Sequence, residues 1–539
     1  MSASIPANNA ADEIPSASGE VALSGATKRS FDDKPALETK NRGLLMLAVM
    51  MVSIIQILDV TIANVALPHM QSSLGATLDT VSWVLTSYII ASVLVTPIAG
   101  WLSDIVGSRI VFIGATAGFL IASMLCGMAT SLTQMVLFRS LQGACAAFIG
   151  PMSQTILLDI NPPSKQASAL SIWGLVVMVA PITGPTLGGF LTDTLNWRWV
   201  FYINVPIGIP TLAILLWLLP SRPLVARKLD LLGFGCLAVA LGSLQLMLDR
   251  GQHKDWLSSR EIVAELVITL SAFWVYFVHT MTTEKPLFPS AILKDRNFVG
   301  ALGSLFMLGV ANVAITSILP TMFQGIFGYT AIDTGLLMVP RALGMVITMT
   351  LGARLTRIID ARYLIAGGYL TVCVAMHLMS GWSVEIDAWA IISAGFIQGM
   401  GLGAVFTPIN LLSFSTLDAQ YRPDGASILN LMRNIGGSFG ISIIVTLLAR
   451  NQQISHADMA SHITQSNVSL DSLAPFAQLG EGVSAVLPMI NAEINRQAMM
   501  IAYIDNFYML SFFIFCVALS VFFFKPMRIA HPQHVPMAE

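Results

Sequence analysis

Apolar runs of about 20 residues recur along this chain, separated by short polar stretches. As a helix, such a run is about 30 Å long, the thickness of a bilayer's hydrocarbon core. The pattern predicts helices near 44–67, 81–101, 110–129, 133–157, 168–191, 199–219, 229–248, 261–281, 298–323, 334–353, 363–381, 386–415, 425–449 and 504–524, about fourteen in all. Residues 1–43 break the pattern. They are polar and rich in Ser, Ala and Pro, so a disordered tail is expected there. The apolar run from Leu44 exceeds the roughly 7–15 residues of a cleavable leader's core, so it is expected to remain as an anchor. One long loop is expected at 450–503, and its later part, Leu479–Tyr503, has the makings of an amphipathic helix.

Composition agrees with a lipid solvent. The chain has 539 residues, 55% hydrophobic and 11% charged. A soluble domain carries roughly 25% charged residues, and a water-facing surface cannot be built from so few. Net charge is -2 and no basic cluster points to nucleic acid. The five cysteines, Cys126, Cys145, Cys236, Cys373 and Cys516, all lie in apolar runs without metal-ligand spacing. They read as small core hydrophobes, and no metal site is expected. Basic residues then orient the chain. With the N-terminal tail inside, the inner loops hold Arg42, Arg109, Lys165, Arg222, Lys228, Lys294, Arg422 and others. The outer loops hold only Arg198, Arg250, Lys254, Arg260, Arg450 and Arg496. Both termini are therefore expected in the cytoplasm.

The two halves echo each other. Helix 4 carries Leu141-Gln142-Gly143 and Gly150-Pro151; helix 12 carries Ile397-Gln398-Gly399 and Thr407-Pro408. Helix 5 opens with Ala167-Ser168-Ala169-Leu170 and helix 13 with Gly425-Ala426-Ser427-Ile428-Leu429. The offset is eight helices where a six-plus-six protein would give six. A surplus pair, helices 7 and 8, is thus expected between the halves. The expected layout is an all-α membrane protein: a six-helix bundle at 44–219, two additional helices at 220–285, a second six-helix bundle at 286–524 and a tail at 525–539. Same-sense repeats of this kind fit two bundles meeting at a central cavity.

Ionisable groups inside membrane helices cost a few kcal/mol each on insertion scales, so each needs a reason. Four stand out: Asp59 in helix 1, Arg139 in helix 4, Arg341 in helix 10 and Arg433 in helix 13. A carboxylate between burial and a nearby arginine can change protonation with conformation, which coupling to a proton gradient requires. Asp59 is the candidate, with Arg139, which stays charged, as the group that tunes it. A direct pair between the two is one option; a backbone-bonded Arg139 is the other. Arg433 and Asn430 share a helix face. They join Asn64, Gln142 and Arg341 as candidates for lining a substrate cavity, while helix locking remains open for both arginines. His377 reads as a packed core residue and Asp505 as interfacial.

Helix 5 contains Pro181, Gly184, Pro185, Gly188 and Gly189 within ten residues. The prolines break the hydrogen-bond ladder and the glycines admit a close neighbour, which makes a tight, bendable seam. After helix 2, the stretch Gly100-Trp101-Leu102-Ser103-Asp104-Ile105-Val106-Gly107-Ser108-Arg109 places Asp104 where it can meet a neighbouring helix N-terminus.

These strings together resemble the major facilitator superfamily, in its fourteen-helix drug:proton antiporter branch, the EmrB/QacA group. Asp59-Val60-Thr61-Ile62-Ala63-Asn64-Val65-Ala66-Leu67-Pro68 is similar to the branch's first-helix motif. Gly100 to Arg109 resembles the superfamily's cytoplasmic gate motif, with Ile105 in place of the usual basic residue. Gly184-Pro185-Thr186-Leu187-Gly188-Gly189 resembles the exporter motif of helix 5, and Arg139 with Gly143 matches the helix 4 motif. Trp197 to Gly208, Gln245 to Gly251 and Asp255-Trp256 narrow the resemblance to the EmrB-type pumps, over roughly residues 40–525. The resemblance implies a major facilitator fold and a bacterial inner-membrane antiporter driven by the proton motive force. It implies Asp59 and Arg139 as coupling residues and Gly100, Asp104, Gly107 and Arg109 as gate residues. It also implies Pro181, Gly184, Pro185, Gly188 and Gly189 as the antiporter seam. Lipophilic small-molecule substrates, a periplasmic adaptor protein and an outer-membrane channel follow as expected partners, the long outward loop being the expected adaptor contact. An exporter of one specific metabolite, such as a siderophore, is the nearest rival. The helices contain no nucleophile–base set at useful spacing, so an enzyme is not expected.

Overall fold

The computed structural model describes residues 34–225, 228–356, 358–415, 417–462 and 483–523. Parts of the expected tails and Arg227, Arg357, Lys525 and Arg528 lie outside the described residues. Among the described residues there are fourteen membrane-length helices, counting one bent span as a single helix. The first six are α1 (Arg42–Ser73), α2 (Trp83–Val106), α3 (Ser108–Met128), α4 (Leu132–Ile160), α5 (Pro163–Thr194) and α6 (Trp199–Leu218). Next come α7 (Leu231–Arg250) and α8 (Arg260–Thr282). The last six are α9 (Arg296–Gly325), α10 (Ala331–Leu355), α11 (Ala361–Met379), α12 (Ala388–Ser415), α13 (Arg422–Ser461) and α14 (Val483–Ser520).

Side chains at the ends fix where several helices start. Asn41, Ser131, Asp230 and Asp295 accept backbone N–H bonds in the first turns of α1, α4, α7 and α9, at 3.2, 3.3, 2.9 and 2.9 Å. These bonds satisfy donors that a helix start leaves without partners. Between α2 and α3 the turn is the single residue Gly107, at φ +100°, a conformation that disfavours side chains. Tight turns make successive helices antiparallel. The face where α1 begins is called here the near face, the opposite one the far face. Helix α5 bends by 45° between Pro181 and Thr183, where Pro181 removes a ladder hydrogen bond.

Burial separates inner helices from outer ones. Every residue of α4 from Pro151 to Ile160 is buried, whereas α8 buries only Ile262 and Thr269. The surplus pair explains the eight-helix offset. Helix α7 lies along the seam between the halves: Thr86 Oγ1 on α2 donates to the Asp249 carboxylate, and Ser442 Oγ on α13 donates to Leu248 O at 2.8 Å. Just beyond it, Trp256 Nε1 donates to Thr446 Oγ1 on α13 at 3.0 Å. Helix α8 packs on the outside of α7.

The stretch expected as a loop at 450–503 is mostly helix. Helix α13 runs on to Ser461 and α14 already begins at Val483, with 463–482 outside the described residues. Residues 450–461 are polar but hold neither Gly nor Pro, so nothing interrupts the backbone ladder. The helix expected from Leu479 is thus the first part of α14 for its described portion, continuous with the spanning segment. At 40 residues, α13 is about 60 Å long, twice the hydrocarbon thickness, so it projects past the far face.

Candidate functional site

Asp59 shares the inward face of α1 with Ile55, Ile62 and Ala66, at helical spacing. On α4 the same periodicity turns Met135, Arg139, Gln142, Gly143 and Ala146 inward. Helices α2 and α4 come close because Gly143 has no Cβ; one would overlap the Tyr88 carbonyl.

These faces bring the ionisable groups together. Arg139 Nη1 lies 2.5 Å from Asp59 Oδ2, and both side chains are fully buried. Asp59 Oδ1 accepts from Gln142 Nε2 and from Asn204 Nδ2 of α6, each at 2.9 Å. The Asn204 amide also donates to Ser123 Oγ at 2.9 Å, and Ser123 donates to Phe201 O at 2.9 Å. Arg139 Nη1 further donates to Gln142 Oε1 at 2.8 Å, and Nε to Val84 O at 3.1 Å. The guanidinium lies over the Tyr88 ring, 4.4 Å from its centroid, an arrangement that favours a cation. Arg139 Nη2 has no hydrogen-bond partner among the described residues. Three donors therefore address Asp59 as an anion, and the carboxylate is tied to α4 and α6 at once. Protonation removes the charge that Arg139 is placed to meet.

The direct pair between Asp59 and Arg139 is thus formed. Gln142, expected in the substrate cavity, is instead part of this cluster. Asn64, five residues further along α1, is exposed and stands apart from it. Asn204 and Ser123 were not legible as site residues, because single polar residues in apolar helices carry no distinctive pattern.

The second-half candidates fall in two places. Arg433 Nη2 donates to Asn430 Oδ1 at 2.8 Å, on the shared face expected from their spacing. Its guanidinium carbon lies 5.6 Å from the centroid of Trp173 on α5, so it faces the other half. Asn430 in turn donates to Gln154 Oε1 at 2.8 Å, and Gln154 donates to Asn410 Oδ1 at 3.3 Å, linking α13, α4 and α12. Arg341 is separate, inside the second bundle, with Nη2 donating to Asn312 Oδ1 of α9 at 3.0 Å.

The gate segment sits at the near face. A Cβ on Gly100 would overlap Asp424 in the first turn of α13, so the halves touch there. The Asp104 carbonyl accepts from Val225 N at 2.9 Å, and Arg109 Nη2 donates to Leu216 O at 2.6 Å, near the end of α6. A further ionic cluster lies beside them. Asp159 at the end of α4 accepts from Arg222 Nε and Nη2 at 2.5 and 2.7 Å. Arg422 of the second half approaches it to 3.8 Å. A buried acid at the end of an apolar helix is the signal that could have flagged Asp159.

The antiporter string forms the α1–α5 seam. A Cβ on Gly184 would overlap Thr61, and one on Gly188 would crowd Ile62. Two residues before Gly188, Thr186 closes onto Gly335 of α10. Pro181 and Pro185 lie within the same helix.

Two helical bundles, a seam between them and a buried ion pair within one define a polytopic membrane carrier. Residues 49–441 match the family model described as Major Facilitator Superfamily, and the chain belongs to that superfamily. It is 33% identical over 502 residues to the Multidrug export protein EmrB of Escherichia coli (strain K12), covering 91% of this chain and 96% of that protein. It is 33% identical over 473 residues to the Fatty acid resistance protein FarB of Neisseria gonorrhoeae, covering 87% and 93%. The human organic anion transporter MFSD10 (TETRAN) shares the fold, with a TM-score of 0.56 at 14% identity, covering 88% of this chain and 99% of that one.

Proposed function

We propose that this protein exports lipophilic and amphipathic drugs across a bacterial inner membrane in exchange for protons. The observation that carries the reading is the fully buried Asp59–Arg139 pair, because an intramembrane carboxylate on a network of moving helices is what proton coupling needs. The names of the relatives, multidrug export and fatty acid resistance proteins, support lipophilic cargo.

The contacts between the halves support a state closed on the near side, with Thr186 against Gly335 joining them toward the far side as well. Gly100 against Asp424, Gln154 with Asn410 and Asn430, and Asp159 with Arg422 all join the halves in the near part of the molecule. The balance of Lys and Arg in the loops supports a cytoplasmic near face, with both termini on it. In this reading Asp59 takes a proton from the far side. The Arg139 bond is then lost, α4 is released from α1 and α6, and the near face opens. Cargo binding and proton release to the cytoplasm drive the return. Arg433, Asn430 and Trp173 face the path between the halves, and the proton motive force is the only energy source required. The projecting ends of α13 and α14 are the surface offered to a periplasmic adaptor protein and, through it, to an outer-membrane channel.

The test is transport in liposomes under an imposed pH gradient, following a fluorescent lipophile and internal pH together. Wild type is expected to move protons only with cargo, and Asp59→Asn to lose both fluxes. Cargo movement indifferent to the gradient overturns the coupling; movement of one metabolite alone overturns the breadth.

A further inference from the structure

The two halves repeat one contact with its chemistry exchanged. On α4, Gly143 closes onto the carbonyl of Tyr88 of α2; on α12, Gly399 closes onto the carbonyl of Arg341 of α10. The repeat puts Arg341 opposite Tyr88. Four residues before each glycine, it puts Gly395 opposite Arg139. In the first half the cation comes from α4 and meets the Asp59 carboxylate on α1. In the second it comes from α10 and, among the described residues, meets the neutral carboxamide of Asn312 on α9, at 3.0 Å.

Arg341 is 1% exposed, and its Nε and Nη1 have no hydrogen-bond partner among the described residues. Gln398, fully buried beside Gly399, leaves both amide atoms unpartnered as well. A guanidinium does not shed its proton, so Arg341 is a standing positive charge in the bundle interior. A buried charge without a counter-ion is costly, and Asn312 supplies none. Beside it lies a cavity of about 10 Å³, lined by Arg341 together with Leu319, Phe323, Met338, Met379 and Trp382. That is room for one water-sized occupant. The two methionines are flexible enough to admit a slightly larger sphere.

We propose that this cavity is a halide site. A chloride-sized anion seats against Arg341 Nε and Nη1 and supplies the negative charge that Asp59 supplies in the first half. The site is structural in its own right and does not depend on what the protein transports.

The experiment is thermal melting of the purified full chain in detergent, in chloride against gluconate at equal ionic strength. Chloride is expected to raise the melting temperature of wild type saturably, by on the order of 2 °C. Asn312→Asp, which builds in a carboxylate, is expected to melt alike in both salts. Should that variant fold poorly, bromide titration of tryptophan fluorescence gives a second readout. Trp382 lines the cavity, so the difference between wild type and Trp382→Phe is expected to quench saturably. Identical melting of wild type in both salts overturns the proposal. So does an Asn312→Asp protein that keeps the full chloride response, or purely collisional bromide quenching. Stabilisation by long-chain carboxylates but not by chloride would assign Arg341 to a cargo headgroup and overturn the halide assignment.

Discussion

Trp173 and Arg433 meet across the two halves, the guanidinium carbon 5.6 Å from the indole centroid. The same indole Nε1 donates to Ser53 Oγ on α1 at 3.2 Å. One side chain thus touches α1, its own α5 and, through the cation, α13. Trp173→Ala is expected to cost about 3–5 kcal/mol from truncation of a buried aromatic. Trp173→Phe keeps the ring face over Arg433 but not the Ser53 bond, and is expected to lose only about 1 kcal/mol. Melting of the two variants side by side checks the difference.

Breaking one side of a buried ion pair is worse than removing both. Asp59→Asn leaves Arg139 buried without its counter-ion, which is expected to destabilise by about 3–5 kcal/mol. The double variant Asp59→Asn with Arg139→Gln is expected to recover most of that stability while remaining inactive in proton exchange. A double-mutant cycle by chemical denaturation reads the coupling, and an additive result would contradict the geometry.

Gly100 sets how closely α2 approaches α13. Gly100→Leu is expected to force the near face apart and shift the protein toward the opposite state. A cysteine placed near that seam should then react several-fold faster with a water-soluble maleimide, while melting changes little. An unchanged labelling rate would remove Gly100 from the gate.

Asp159 holds Arg222 with two bonds and draws Arg422 from the other half. Asp159→Asn is expected to cost about 1–3 kcal/mol, because the charge-assisted bonds of a buried carboxylate are lost. The same labelling assay should show a more accessible near face. The partner variant Arg422→Gln should act in the same direction but more weakly, since its nearest approach is 3.8 Å.

Much of the fold was legible because lipid imposes a simple pattern. A helix must satisfy its own backbone, so apolar run length alone marks the spans, and the Gly143 and Gly399 echo marks the repeat. Asp59 and Arg139 were legible as charges where charge is expensive. Their pairing was not, since it depends on the packing of α1 against α4, 80 residues apart. The bonds of Gln142 to that pair were not legible for the same reason: spacing fixes the face a residue shares, not what the face meets. Asn204 was missed because α6 supplies it as one polar residue in an apolar stretch. The long outward loop misled because polarity marks contact with water and not loss of helix; α13 continues through 450–461 with polar side chains on all sides.

The position of α7 decides which flank of the two bundles is covered toward lipid. Two flanks of a two-bundle carrier face lipid, one between α2 and α13 and one between α5 and α10. Helix α7 covers the first, bonded to both halves, with α8 stacked behind it. A lipophile diffusing in the membrane meets a closed wall there. The α5–α10 flank, where Thr186 closes onto Gly335, has no helix packed over it among the described residues, so there the two halves themselves form the boundary with lipid.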